Sequence, residues 1–376
     1  MAASSNMCNG MGNNLRRNMA GAHSDTAPQQ LERGEVALQR PFDKPELITK
    51  RLGGLEGWST IEIPDNSLGK GSRESFSGEP HRTNIQSMDK ETKMNAKILI
   101  TGATGNLGRA VVQALVQHNF NARAATRNPE KLEATANVEP VKFDYTVADT
   151  LDTALAGVNG LLLIAPPMDP EAPAKLLPVI EKAKAKGIGR IILNSALGAD
   201  QNEQSPLRIV ERVLMQSGVP YTIVRPNFFM ENFSTGFIAP MIKHQRGIFL
   251  AAGDGKTSFI STRDIAAVIA VAFAEKHAGK EYNLTGPEAI DHAQAAKLIS
   301  EAMGQEIVYH ALPEEAMLKG ARDNGMPESA VQYLGALYSA VRDGYCAAVT
   351  DDVKHVTGQN PVSFRAFVEA NKARWQ

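Results

Sequence analysis

The chain has 376 residues, 43% of them hydrophobic and 22% charged, with a net charge of −1. That length suffices for one large α/β domain with additions or for two domains, and the near-zero charge gives no global attraction to nucleic acid or to an anionic membrane. The two cysteines, Cys8 and Cys346, exclude a disulfide framework, offer no metal-ligand spacing and point to a reducing compartment.

Residues 1–93 hold scattered Gly, Ser, Asn and Pro with no sustained period of 2 or 3.6. They read as a disordered or poorly structured extension, dispensable for folding. Trp58 to Pro64 is strand-like but stands alone. Residues 1–24 carry Arg16, Arg17 and no acid, as transit peptides do, yet they lack amphipathic periodicity. A cytoplasmic location is therefore expected, and a translation start at Met88 or Met94 is a further reading of the same segment. The longest strongly apolar run, Ile265 to Phe273, is too short to span a bilayer.

From residue 94 to the C-terminus the chain reads as one α/β unit. Strands are expected at 97–101, 121–126, 140–144, 160–165, 190–194 and 221–225. Helices are expected at 106–117, from Asn128-Pro129 through Leu132, and near 147–156, 171–186 and 205–217. Strict alternation with right-handed crossovers gives a Rossmann-type, doubly wound parallel sheet. Residues 227–260 and 286–376 look like a smaller C-terminal α/β substrate-binding region over the sheet's carboxyl edge, where such sheets bind ligands.

The first strand, Ile98-Leu99-Ile100, runs into Gly102, Gly105 and Gly108 at three-residue spacing, and a helical period begins at once. Glycines let a backbone approach a pyrophosphate closely, and the open N–H groups of a helix start stabilise the anion. A dinucleotide contact is therefore expected at Gly102, Ala103, Thr104, Gly105, Asn106 and Leu107. Ala165 and Pro166, at the end of the fourth strand on the same edge, join that set.

Cofactor type is set where the second strand ends. An acid there binds a ribose 2′-hydroxyl, whereas an arginine pairs with a 2′-phosphate. Here the segment is Ala124-Ala-Thr-Arg-Asn-Pro129, with Arg127 in place and Lys131 four residues on. NADP(H) is expected in preference to NAD(H).

Ile100-Thr-Gly-Ala-Thr-Gly-Asn-Leu-Gly108, Thr126-Arg-Asn-Pro129 and Asp144-Tyr145 occur in order, then Tyr221-Thr-Ile-Val-Arg-Pro-Asn-Phe-Phe-Met-Glu-Asn232, Ala251-Ala-Gly-Asp-Gly-Lys256, Thr262-Arg-Asp-Ile265 and Tyr282-Asn-Leu-Thr-Gly-Pro287. Together they resemble the NmrA-like group of atypical short-chain dehydrogenase/reductases, and within it bacterial NADPH-dependent quinone reductases and triphenylmethane reductases. The resemblance spans about residues 95–370. It implies a cleft between the Rossmann part and the C-terminal part, and it implies that Asp144 meets the adenine. Asp144 also suits a turn or helix cap.

Many short-chain dehydrogenases carry Tyr-x-x-x-Lys, and none of the seven tyrosines here has a lysine four residues on. The stretch Ala196 to Glu211 has neither His nor Lys. No catalytic residue is therefore assigned. This suits a quinone, whose delocalised phenolate product takes its proton from water, or a cationic dye that needs no proton; a simple ketone would form a strongly basic alkoxide. The expected activity is hydride transfer from NADPH to a small aromatic, quinone-like acceptor, azo and triarylmethane compounds included. Asn194 and Ser195 are expected to meet the acceptor oxygen, and Asn227, Phe228, Phe229 and Met230 to line the acceptor site. The alternative, also implied by the resemblance, is an NADP(H)-binding, redox-responsive regulator without turnover. No nucleic acid, membrane or metal is expected, and a homodimer is compatible with the sequence.

Overall fold

The computed structural model describes residues 96–274 and 277–376. The readings of residues 1–93 as a disordered, dispensable extension, of Trp58 to Pro64 as a strand, and of the first 24 residues as a transit signal all lie outside the described residues.

β1 (Lys97–Ile100) leads through the glycine turn into α1 (Asn106–Gln117), then β2 (Asn121–Thr126), a single 3₁₀ turn (Pro129–Lys131) and β3 (Val138–Lys142). The chain continues through α2 (Ala148–Leu155), β4 (Gly160–Ile164), α3 (Ala172–Ala185), β5 (Arg190–Asn194), α4 (Pro206–Gln216) and β6 (Tyr221–Pro226). β3 starts two residues earlier than expected and includes Pro140, which pairs with Ala124. A proline is tolerated there because β3 is the edge strand and its missing N–H leaves no ladder bond broken.

After β6 come α5 (Glu231–Ser234), α6 (Ala239–Gln245) and β7 (Gly247–Leu250). The chain then returns to the main sheet through α7 (Thr262–Ala274) and a seventh strand, β8 (Lys280–Leu284), parallel to β6. The C-terminal part holds α8 (His292–Met303), β9 (Val308–Ala311), α9 (Glu314–Asp323), α10 (Glu328–Arg342), α11 (Asp352–Thr357) and α12 (Phe364–Asn371). β7 and β9 form a separate two-stranded parallel sheet.

The main sheet has the order β3-β2-β1-β4-β5-β6-β8, with every neighbouring pair parallel. Alternate strand residues enter opposite cores, as the two-residue pleat requires. Ile98, Ile100, Leu162, Ile192 and Val224 pack beneath α1 and α7. Leu99, Leu161, Leu163, Ile191 and Ile223 pack beneath α2, α3 and α4. A third core, built on Phe233, Phe259, Tyr338 and Phe364, belongs to the C-terminal part. The strand order reverses between β1 and β4, so the carboxyl ends of these two strands open a crevice.

Candidate active site

The glycine turn is shaped by its own backbone. Gly102 has φ +63°, a left-handed conformation that side chains resist. Gly105 N donates to Gly102 O at 3.0 Å, and Ala103 N to Ala125 O at 3.3 Å, tying the turn to itself and to β2. Gly108 is required by contact: a Cβ there would sit 2.2 Å from Gly102 O and 2.7 Å from Ala103 Cα. α1 can thus start directly against the turn. No side chain caps its first N–H groups and no acid lies in its first turn. The result is an open, anion-receptive helix start framed by glycines, which fits a dinucleotide pyrophosphate.

Across the crevice, Thr101 binds β1 to β4. Its hydroxyl donates to Leu162 O at 3.2 Å and accepts from Ile164 N at 2.8 Å. Tyr145 Oη donates to Ile164 O at 2.6 Å. These bonds hold Ala165 and Pro166 opposite the glycine turn. The following loop is fixed by Asp169, which accepts from Glu171 N at 3.0 Å and pairs with Lys175. Met168 in this loop has φ +52°. For a residue other than glycine this is an uncommon, strained conformation.

These parts enclose a cleft of about 400 Å³. It brings together the expected residues Gly102, Gly105, Asn106, Leu107, Ala165, Pro166, Asn194, Ser195 and Phe229. Of the remaining cofactor positions, Ala103 is buried in the turn and Thr104 is exposed beside it. Arg127 and Lys131 are exposed after β2, outside this cleft. Arg127 forms no ion pair or hydrogen bond among the described residues and acts on the Asp144 carboxylate only through its charge. Asp144 is committed to its own turn: its carboxylate accepts from Thr146 N at 2.9 Å and Thr146 Oγ1 at 2.7 Å. Those bonds hold its carboxyl below the ordinary range, with a lesser pull from Arg127.

Three residues expected on the acceptor wall stand elsewhere. Asn227 is buried and its amide is fully used: Nδ2 donates to Ser258 Oγ at 2.7 Å and Cys346 O at 2.8 Å, while Oδ1 accepts from Phe228 N at 2.9 Å. It clamps three chain segments. Met230 is 1% exposed in the C-terminal core, and Phe228 packs against that core with its ring centroid 6.1 Å from Tyr338. Of the four residues 227–230, only Phe229 borders the cleft.

The cleft also contains residues that sequence reasoning did not single out. Met168, Asp169, Leu207 and Tyr333 line it. Tyr333 comes from α10, far along the chain. α10 is seated by Gly255, where a Cβ would lie 2.2 Å from Val341 O, and by the hydrogen bond from Arg342 to Ala251 O. Burial raises the Tyr333 phenol pKa. Beneath Ser195, Glu211 is 0% exposed, and Arg225 donates to it through Nε and Nη2, each at 2.8 Å. Burial alone would raise the Glu211 carboxyl, but its contacts with Arg225, Ser195 and Arg208 outweigh that cost and hold it low. Lys243 and His244 are exposed, and Lys243 Nζ donates to Gln376 O at 2.9 Å, so they form a solvated helix face.

Residues 94–358 match the NmrA-like family. The chain belongs to that family. This NmrA-like chain is 33% identical over 294 residues to prestalk A differentiation protein A of Dictyostelium discoideum, covering 77% of this chain and 94% of that protein. It is 30% identical to the NAD(P)H azoreductase of Xenophilus azovorans over 73% of this chain and 98% of the other. The solved structure of the NADPH-dependent quinone oxidoreductase of Escherichia coli complexed with NADPH resembles it with a TM-score of 0.65 at 29% identity, covering 73% of this chain and 99% of that one. No helix among the described residues is long and apolar enough to cross a membrane.

Proposed function

We propose that this NmrA-like protein is an NADP(H)-dependent reductase of small aromatic, quinone-like acceptors, with azo and triarylmethane compounds in the same class. One observation carries the reading: a single cleft joins the glycine turn to a wall of Ile164, Pro166, Leu207 and Phe229, with a few polar groups set among them. Its volume is within the range of small-molecule sites, and such a wall suits a flat ring. The names of two relatives, an NAD(P)H azoreductase and an NADPH-dependent quinone oxidoreductase, point the same way.

Gly102, Gly105 and the start of α1 would hold the pyrophosphate, and Arg127 the 2′-phosphate. When bound, NADPH supplies a hydride. The protein's contribution would be to stack the acceptor against Phe229 and hold reacting atoms about 3–3.5 Å apart. With no Tyr-x-x-x-Lys pair, the chain is suited to acceptors whose reduced form is already a weak base.

The test compares NADPH and NADH binding for wild type and Arg127→Ala. Loss of a charge-assisted contact weakens NADPH by about 1.5–3 kcal/mol and leaves NADH nearly unchanged. Equal wild-type affinity for the two dinucleotides refutes the NADP(H) assignment. A panel of quinones then tests turnover. The competing reading, a redox-responsive regulator, is favoured by the missing Tyr/Lys pair; stoichiometric binding with no NADPH oxidation across the panel establishes it instead.

A further inference from the structure

The polar groups of the cleft are few. Asn194 is 9% exposed and Ser195 is 4% exposed, both at the end of β5. Asn194 Oδ1 has no hydrogen-bond partner among the described residues, whereas the Ser195 hydroxyl already meets the Glu211 carboxylate. Folded proteins seldom leave a buried polar atom unpaired, so a ligand is the expected partner of Asn194. Tyr333 lines the same cleft from α10, and its hydroxyl has no partner within the described chain. Asp169 on the same wall is paired with Lys175, and Asn106 stands exposed at the glycine turn.

We propose that Tyr333 donates a hydrogen bond to the oxygen of the acceptor as that oxygen takes on charge, so that the cleft favours acceptors bearing a carbonyl oxygen. The inference rests on the reductase reading above. When a quinone is reduced, a C–H bond of the dihydronicotinamide would break and NADPH would be oxidised to NADP+; the hydride would form an O–H bond at one quinone oxygen, the ring π electrons would move onto the opposite oxygen, and a hydroquinone monoanion would result. A proton from water then completes the hydroquinone. A donor in the wall beside that oxygen stabilises the charge as it develops. Tyr333 stays protonated in this role, because burial raises its pKa and no neighbouring cation offsets the shift. It thus differs from the tyrosine of a Tyr-x-x-x-Lys pair, whose lysine lowers the phenol pKa so that it can give up its proton. A triarylmethane cation taking hydride at its central carbon develops no charge on oxygen and gains nothing from the bond.

The experiment uses the full chain, wild type and Tyr333→Phe, with two readouts. The first is binding of 4-nitrophenol at a pH where it is fully ionised, followed by its visible absorbance. This phenolate stands in for the hydroquinone monoanion and requires no turnover. Loss of a hydrogen bond to a charged oxygen weakens it by about tenfold or more. The second is the ratio of kcat/KM for a quinone to that for a cationic triarylmethane dye, which falls about tenfold in Tyr333→Phe. Unchanged nitrophenolate affinity, or quinone and dye affected equally, overturns the proposal. If wild type reduces no acceptor, the reductase reading fails, and the nitrophenolate result alone decides whether Tyr333 binds an anionic oxygen.

Discussion

Gly105 and Gly108 sit three residues apart in one turn, yet replacing each by alanine has different consequences. At Gly108 the new methyl would lie 2.2 Å from Gly102 O and 2.7 Å from Ala103 Cα, both backbone atoms that cannot swing aside. To restore ordinary contact, α1 must retreat by about 1 Å. That drags Leu107, Val111 and Leu115 out of register with the core beneath. Overpacking of this kind costs about 1–3 kcal/mol, which is roughly 3–10 °C in Tm for a domain of this size. It also moves the helix start that would hold the pyrophosphate. At Gly105 the methyl would meet only Gly102 O at 3.3 Å, and the backbone, φ −76°, suits alanine. Stability should change by less than about 1 kcal/mol. The methyl instead occupies the exposed mouth of the cleft, so NADPH affinity should fall about tenfold to a hundredfold. Thermal melting and NADPH fluorescence titration separate the two outcomes. A Gly105→Ala protein that binds NADPH like wild type would refute the placement of the dinucleotide on this turn. A Gly108→Ala protein with an unchanged Tm would refute the close-approach argument.

Asn227→Ala should destabilise the fold by about 2 kcal/mol, because the bonds from the buried amide to Ser258 Oγ and Cys346 O are lost and the Phe228 N–H loses its acceptor, while the Cys346 carbonyl keeps the Ser258 N–H at 3.0 Å. Denaturant unfolding measures this, and turnover per folded molecule should be nearly unchanged; a tenfold rise in acceptor KM at wild-type stability would instead return Asn227 to the acceptor site. Asp264 is pushed up to about 6, chiefly by burial, against a pull down from the Val362 N–H that it accepts at 2.8 Å. Between about pH 4 and 6 the folded chain therefore holds a proton that the unfolded chain has lost, so this group's contribution falls as pH rises and its full cost of up to about 3 kcal/mol stands above pH 6. Asp264→Asn keeps an acceptor for Val362 and removes the titration. It should be more stable than wild type at pH 7.5 and similar near pH 4; equal pH slopes for the two proteins would rule the assignment out.

The parts of this protein that the sequence disclosed are those in which cause and effect are close along the chain. The glycine turn needs only residues 101–108, because close approach and an open helix start are local backbone properties. The main strands declared themselves because burial on both faces demands continuous apolar runs such as Gly160 to Ile164. The NmrA-like resemblance read from those motifs agrees with the family match over residues 94–358. The start of β3 was misplaced because Pro140 reads as a strand boundary, and only the sheet order reveals an edge where proline is harmless. Asn227 looked like a site residue because a polar group after a buried strand has no local reason to be there. Its reason lies 31 and 119 residues away, in Ser258 and Cys346. Tyr333 could be read only as a tyrosine lacking a lysine four residues on. Its presence at the cleft depends on where α10 docks, which is decided by Gly255 and Arg342 meeting across long stretches of chain. Side-chain type and local period are written in the sequence, but which distant surfaces come together is settled by the packing of the whole core, and the acceptor end of this cleft is built from such surfaces.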